Sequence, residues 1–138
     1  PDDLEGKLED EVWGEETSLI VIPSDIGINI FKNIVSHLPL DIVFDENNLT
    51  THYIEYNIKK SYEITKHKDY CDITVLVYLD KDEDIKDTFY VCDKKCRKEK
   101  WDIQENSYAV LAFNGWDDHW GNLKGTGFRS IMAFHYSL

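Results

Sequence analysis

His67, Asp69 and His119 are residues whose types and spacing could hold a metal ion. His67-Lys68-Asp69 ends a predicted strand, where residues i and i+2 project from one face while i+1 points away. An imidazole nitrogen and a carboxylate oxygen can therefore aim at one point, and His119 would add a second imidazole. Two histidines and one carboxylate on one side of an octahedral Fe(II) leave three coordination positions open.

The residues downstream of this triplet give the stronger evidence for a metal site, because a His-x-Asp triplet arises often by chance in an acidic chain. Arg129 follows His119 by ten residues and opens the last predicted strand. A buried arginine there needs an anionic partner, which a ligand carboxylate would supply in bidentate geometry. Asp117 and Asp118 could replace or support His119 as ligands, and one of them could orient its imidazole.

Three cysteines, at positions 71, 92 and 96, are an odd number and do not suggest a disulfide framework. A reducing compartment, such as the cytoplasm, is the expected location. The cysteines could join a histidine to bind zinc, but the paired spacing typical of zinc knuckles is absent.

Other aromatic and imidazole side chains near these residues have open roles. Trp116 and Trp120 flank His119 and could either wall the metal site or cover the barrel mouth. His135 lies on the same alternation face as Arg129 and either lines a pocket or packs in the core, and packing is favoured. His37 and His52 lie outside any ligand pattern.

The composition is that of one folded domain. The chain has 138 residues, of which 42% are hydrophobic and 13% aromatic. Its formal net charge of -12 disfavours a nucleic-acid substrate. The basic stretch Lys94–Lys100 is interpreted as a solvated loop or hairpin edge. No apolar run approaches the roughly 18 residues that span a bilayer, so no membrane association is expected.

The amino-terminal part is predicted to contain a lead, a strand and one helix. Residues 1–16 are acidic and are expected to be a flexible lead, whereas residues 17–138 form a single domain. Ser18–Ile22 is a predicted strand, and Ser24 or Asp25 caps a helix that runs to about His37. A further strand is predicted at Leu40–Phe44. The expected buried face of the helix comprises Ile26, Ile30, Ile34 and Leu38.

From position 49 onward the pattern is all β. The alternation of apolar residues predicts strands at Thr50–Ile58, Ser61–His67, Ile73–Leu79, Thr88–Cys92, Ser107–Phe113 and Phe128–Tyr136. One helix bracing a run of short strands indicates a compact, mainly β barrel or sandwich.

The order of these residues resembles the 2-oxoglutarate/Fe(II)-dependent dioxygenases, and among them the prolyl-hydroxylase-like group. The resemblance covers about residues 53–136 and implies a double-stranded β-helix of the jelly-roll, cupin-like type. His67, Asp69 and His119 match the family's iron ligands. Arg129 matches the arginine that binds the outer carboxylate of the cosubstrate.

Two tyrosines extend the resemblance. Tyr78 lies on the family's Tyr-Leu strand and would share the outer carboxylate with Arg129. Tyr56, eleven residues before His67, stands close to the position of a further pocket tyrosine. The implied cofactors are Fe(II), 2-oxoglutarate as cosubstrate and O₂, and the implied reaction is hydroxylation of a protein or peptide side chain, prolyl by analogy, or of an amino acid. A non-catalytic binding module on the same fold is the alternative.

The sequence departs from the family pattern in the turn after the Tyr-Leu strand and in its length. Residues 83–87 replace a Gly-Gly-Glu-like turn that shapes the pocket, which leaves the substrate class open. The chain is also short for this fold, so some strands or a substrate lid must be minimal.

Overall fold

The computed structural model describes residues 17–39, 41–92, 98–103 and 109–138, with backbone alone at positions 98, 99 and 101–103. The expected lead at 1–16 and most of the basic stretch lie outside these ranges. The described elements are β1 (Thr17–Ile22), α1 (Ser24–Val35), a short 3-10 helix (Glu46–Asn48), β2 (Leu49–Ile58), β3 (Ser61–His67), β4 (Ile73–Lys81), β5 (Lys86–Cys92), β6 (Lys98–Ile103), β7 (Ala109–Phe113), β8 (Asp118–Lys124) and β9 (Gly127–Tyr136).

The strands form two antiparallel sheets. The large sheet has the order β1-β2-β9-β4-β7 and the small sheet the order β3-β8-β5-β6. Strands that are neighbours in space are distant in sequence, as β2 and β9 are, so the sheets close only when the whole chain has folded. Within the described ranges the architecture is mainly β with one α-helix, which confirms the predicted fold class at that level.

Alternation along β9 divides the core into two layers. Ile131 and Ala133 face the small sheet, in a cluster that also contains Leu76 and Phe89. Phe134 and its alternating neighbours face the opposite side, where α1 packs. Strand residues two apart share a face, so a single strand supplies both layers.

Helix α1 covers the large sheet through a narrow apolar stripe. Phe31 is fully buried and stacks on Tyr136, with ring centroids 5.6 Å apart and planes at 14°. The buried residues of the helix are Gly27, Ile28, Phe31 and Val35. Ile30, Ile34 and Leu38 of the predicted face are partly buried against this core, so the prediction holds in part, but the most deeply buried residues lie to one side of it. Ile26 remains 51% exposed because the sheet meets the side of the helix on which Phe31 lies.

Two further local predictions were wrong. Residues 41–45 form no strand, because the segment instead leads into the 3-10 helix, where the side chain of Asp45 accepts from the Asn47 N–H. The helix N-cap is Pro23, and no side chain caps it.

The predicted strands from position 49 onward match observed strands, with residues 107 and 108 of the predicted Ser107–Phe113 outside the described ranges, but β6 and β8 were missed. Strand β8 (sequence DHWGNLK) has too weak an apolar alternation to be recognised, and only its pairing with β3 and β5 defines it. None of the helices within the described ranges is long and apolar enough to cross a membrane.

Candidate metal centre

His67 and His119 are brought together by the pairing of β3 with β8. They face each other in the register, and their ring centroids lie 4.2 Å apart. Asp69 follows the end of β3, and its N–H donates to the carbonyl oxygen of Gly115 at 2.8 Å. That hydrogen bond ties the ligand-bearing segment after β3 to the loop before β8. The ligand atoms of His67, Asp69 and His119 all lie within 4.8 Å of one another.

Both imidazoles present the same nitrogen to the site. Nδ1 of His67 lies 2.7 Å from the carbonyl oxygen of Thr65, and Nδ1 of His119 lies 2.9 Å from that of Asp117. A carbonyl oxygen can only accept, so each Nδ1 carries the proton. Nε2 is then the nitrogen that each ring turns toward Asp69, and it is the atom that would bind a metal ion in place of a proton. Asp117 thus supports His119 through its main chain rather than its carboxylate.

Asp69 is the most heavily contacted member of the group. Its Oδ2 accepts a hydrogen bond from the Thr74 hydroxyl at 2.8 Å, and Nε2 of His119 lies 3.1 Å from the same oxygen. Nε2 of His135 is 3.4 Å from Oδ2, and Nε2 of His67 is 3.4 Å from Oδ1. Burial alone would raise the pKa of Asp69. The charge of His135 and hydrogen bonds from the His119, His135 and His67 imidazoles outweigh burial and hold the pKa well below its usual range. The carboxylate is therefore ionised and ready to bind a cation.

Arg129 lies in the same cavity but has a protein partner. Its Nε donates to Oδ2 of Asp87 at 2.7 Å, and both side chains are almost fully buried. The guanidinium lies against the rings of Tyr56 and Tyr78, at 4.8 and 4.9 Å from their centroids. The expected anionic partner is therefore present as Asp87, which the sequence interpretation did not foresee.

One edge of Arg129 nevertheless remains available. Among the side chains that the structure describes, Nη1 of Arg129 and the hydroxyl of Tyr78 are buried without a hydrogen-bond partner. Leaving such groups unsatisfied costs roughly 1–3 kcal/mol each, so they are candidates for ligand contacts. Burial raises the pKa of the Tyr78 phenol far above neutrality, so its hydroxyl keeps a proton to donate.

The metal ligands and Arg129 share one cavity between the two sheets, with a volume of about 30 Å³. That space holds one or two water-sized molecules. The polar residues at the cavity are His67, Asp69, His119, His135, Arg129, Tyr56 and Tyr78, and the apolar ones are Ile64, Leu76, Phe89, Ile131 and Ala133.

The remaining candidates lie outside this cavity. Trp116 contacts Tyr70 at the surface, and Trp120 stacks on Tyr90 on the outer side of the small sheet. Asp118 pairs with Lys68 at 2.6 Å. Neither tryptophan lines the cavity, so of the two roles left open for them the structure does not support a wall of the metal site.

The zinc alternative finds no support in the described ranges. Cys71 is buried, with Sγ 3.3 Å from the Thr74 hydroxyl, and burial raises the pKa of its thiol to about 11. Cys92 lies on β5, and neither thiol belongs to a cluster of metal ligands among the described residues. Cys96 lies outside those ranges.

Three contributing residues were missed or misjudged from sequence. His135 lines the cavity rather than only packing, and the signal was present because Arg129, Ile131, Ala133 and His135 alternate along β9. Asp87 and Thr74 had no recognisable signal. Their roles depend on contacts between strands that are remote in sequence.

Comparisons with known proteins identify the fold. No family model matches the sequence, and no curated protein matches it. The 7S globulin of Momordica charantia matches with a TM-score of 0.58 and 11% identity over 89% of this chain and 30% of that chain. An oxalate oxidase in complex with the substrate analogue glycolate matches with a TM-score of 0.57 and 5% identity over 88% and 51%. A bsmA homologue from Methylobium petroleophilum PM1 matches at 0.53 and 13% over 64% and 40%.

These likenesses show a cupin-like β fold, in agreement with the predicted jelly-roll class. At such low identities they show the fold alone, and they do not support the prolyl-hydroxylase-like group specifically. The chain spans only 30 to 51% of the length of these solved chains. The activity therefore has to be argued from the site.

Proposed function

We propose that this chain is an Fe(II)- and 2-oxoglutarate-dependent oxygenase that hydroxylates a protein or peptide side chain, prolyl by analogy, or an amino acid. The observation that carries the proposal is the sharing of one cavity by the His67–Asp69–His119 group and a buried arginine with an unpartnered Nη1. A metal ion needs only the first feature. A cosubstrate with a remote carboxylate needs both.

The donor set suits Fe(II). Neutral imidazole and carboxylate ligands in a facial arrangement are typical of non-haem iron sites with open positions. His67, Asp69 and His119 would hold the ion through two Nε2 atoms and one carboxylate oxygen. When bound, the iron with 2-oxoglutarate and O₂ supplies the oxidation of a C–H bond. The chain contributes binding, orientation and an apolar wall that excludes water.

The Arg129 end of the cavity suits a carboxylate. Among the described side chains, Nη1 of Arg129 and the Tyr78 hydroxyl are buried donors that have no hydrogen-bond partner. Both residues line the cavity. A carboxylate that accepts from both would satisfy them together. The guanidinium also lies over the Tyr56 and Tyr78 rings, which stabilise its charge without using the free Nη1.

The volume of the cavity sets a condition on this proposal. At about 30 Å³ it is much smaller than a five-carbon diacid. Binding of 2-oxoglutarate therefore requires cavity side chains to move, and Arg129, which lines the cavity, is tied to Asp87 by an ion pair. We infer that ligand binding shifts this pair.

The test uses thermal unfolding under anaerobic conditions. Fe(II) alone should raise the melting temperature, and 2-oxoglutarate added with Fe(II) should raise it further, because ligands that bind only the folded state stabilise it. Succinate release in air, in the presence of peptide and amino-acid pools, tests turnover. If 2-oxoglutarate adds no shift at saturating Fe(II), the cosubstrate proposal fails.

A second candidate function is a non-catalytic metal-binding module on the same fold. The Arg129–Asp87 pair favours it, because the arginine already has its charge neutralised within the protein. In this case Fe(II) or Mn(II) raises the melting temperature, whereas 2-oxoglutarate adds nothing and no succinate forms. The same titration therefore separates the two functions.

A further inference from the structure

Tyr70 and Trp116 form an exposed aromatic pair beside the candidate metal centre. Their side chains are 49% and 44% exposed, among the large hydrophobic side chains most open to solvent. The ring centroids lie 5.5 Å apart with planes at 74°, an edge-to-face contact. Single exposed apolar residues are ordinary, but two aromatic rings in contact form a small continuous patch.

The pair is positioned by the segments that carry the metal ligands. Tyr70 directly follows Asp69, and Trp116 precedes His119 by three residues. The hydrogen bond from the Asp69 N–H to the Gly115 carbonyl joins the two segments at 2.8 Å. The patch therefore lies at the end of the β-helix at which the metal ligands converge.

The indole of Trp116 is held in a fixed orientation. Its Nε1–H donates to Oδ1 of Asp72 at 3.1 Å, and its backbone N–H donates to Oδ1 of Asn114 at 3.0 Å. The second oxygen of Asp72 accepts from the Leu138 N–H at 2.7 Å. A preorganised aromatic side chain loses little conformational entropy when a partner binds.

Tyr70 has a conformation that favours other residue types. Its φ is 57°, and among the described residues no other non-glycine has a positive φ. Asparagine and glycine adopt this left-handed conformation more readily than tyrosine. Such strain at a residue next to a metal ligand points to a function for its ring.

The electrostatic surroundings of the patch are negative. Apart from Asp69, whose buried carboxylate faces the imidazoles, segments 68–72 and 114–118 contain Asp72, Asp117 and Asp118 against one lysine. That lysine, Lys68, is already paired with Asp118 at 2.6 Å. Aromatic faces and carboxylates both attract cations, and arginine or lysine side chains are the cations that peptides offer.

We propose that Tyr70 and Trp116 form a docking site for a basic peptide segment, on which an arginine or lysine side chain packs against the aromatic rings. The assignment of this peptide as substrate rests on the proposed oxygenase function. The docking itself does not. The carboxylates around the aromatic pair favour a basic peptide over an acidic one. The fixed indole of Trp116 supplies the surface that the peptide contacts.

The experiment measures fluorescence anisotropy of a labelled arginine- and lysine-rich peptide with the metal-free protein. A peptide of the same length with glutamate at the basic positions is the control ligand. The basic peptide should bind more tightly by at least about tenfold, and its affinity should fall as salt is raised. Equal binding of the two peptides, or no binding of the basic one, overturns the proposal.

Variants locate the site. Trp116→Ala and Tyr70→Asn should each weaken binding by about fivefold, whereas Trp120→Ala, which removes a tryptophan of the small sheet's outer face, should change it less than about twofold. Tyr70→Asn should not lower the melting temperature, since asparagine tolerates the left-handed backbone. If Trp120→Ala weakens binding as much as Trp116→Ala, or if neither Trp116→Ala nor Tyr70→Asn weakens it, the proposed location is wrong. Because no iron or 2-oxoglutarate is present, failure here is distinct from failure of the cosubstrate titration.

Discussion

The hydroxyl of Thr74 donates a hydrogen bond to Oδ2 of Asp69 at 2.8 Å, so a strand of the large sheet fixes a carboxylate that faces His67 and His119 of the small sheet. Thr74 is fully buried, and its hydroxyl also contacts Sγ of Cys71 at 3.3 Å. The candidate metal centre therefore depends on the distance between the two sheets.

Loss of the Thr74 hydroxyl should weaken metal binding without removing a ligand. Thr74→Val keeps the side-chain shape but leaves Oδ2 of Asp69 without this donor, and we expect metal affinity to fall about 10- to 100-fold. Thr74→Ser, which keeps the hydroxyl, is the matched control and should lose much less. Isothermal titration with Mn(II) measures both. Equal affinities for Thr74→Val and the native protein would show that the hydrogen bond does not support the metal site.

Removal of a candidate ligand should abolish stabilisation by metal. His119→Ala and Asp69→Ala are expected to lose the thermal shift produced by Fe(II) or Mn(II). For the native protein, that stabilisation amounts to about 2.7 kcal/mol at a metal concentration 100 times the dissociation constant. His37→Ala, outside the site, should keep the full shift. A metal-dependent shift retained by both ligand variants would place the ion elsewhere.

Replacing one partner of the Arg129–Asp87 pair should lower the free energy of unfolding much more than replacing both. Asp87→Leu leaves a buried guanidinium without its counter-charge, and we expect a loss of about 3–5 kcal/mol in the free energy of unfolding. The double variant Asp87→Leu/Arg129→Met removes both charges and should recover most of that loss. Urea unfolding measures the cycle. The double variant should also lose any shift due to 2-oxoglutarate while keeping the shift due to metal.

Gly115 should tolerate no side chain. A Cβ there would lie 2.5 Å from both the carbonyl oxygen and Sγ of Cys71, and 2.9 Å from the Thr74 hydroxyl oxygen. Gly115→Ala is therefore expected to lower the free energy of unfolding by about 1–3 kcal/mol and to reduce metal affinity through Thr74. Gly121→Ala is the control, since its Cβ would meet atoms only at 3.4 Å or beyond. Similar losses in both variants would contradict the close packing inferred at Gly115.

The strands were predictable where apolar alternation was strong and not where it was weak. Ser61–His67 was predicted with its observed bounds, because inward and outward residues alternate from Ser61 to Thr65, before a register shift that precedes His67. β8 was missed because its inward positions include His119 and Gly121, which carry no apolar signal. The helix was predicted, but its buried face was predicted only in part, because Ile28 and Phe31 are buried more deeply than Ile30 and Ile34. That face depends on where the sheet meets the helix.

The sequence by itself determined the residue types of the candidate centre and the mainly β class. The spacing of His67 and Asp69 predicted that both side chains project to one side, although Asp69 follows the end of β3, and Arg129 begins an alternation that ends at His135. Only the tertiary structure decided which side chains meet these residues. Asp87 on β5 neutralises Arg129, and the contact of Thr74 with Asp69 likewise depends on how the sheets pack. Cross-strand contacts depend on pairing and packing between distant segments, and spacing along the chain does not encode them.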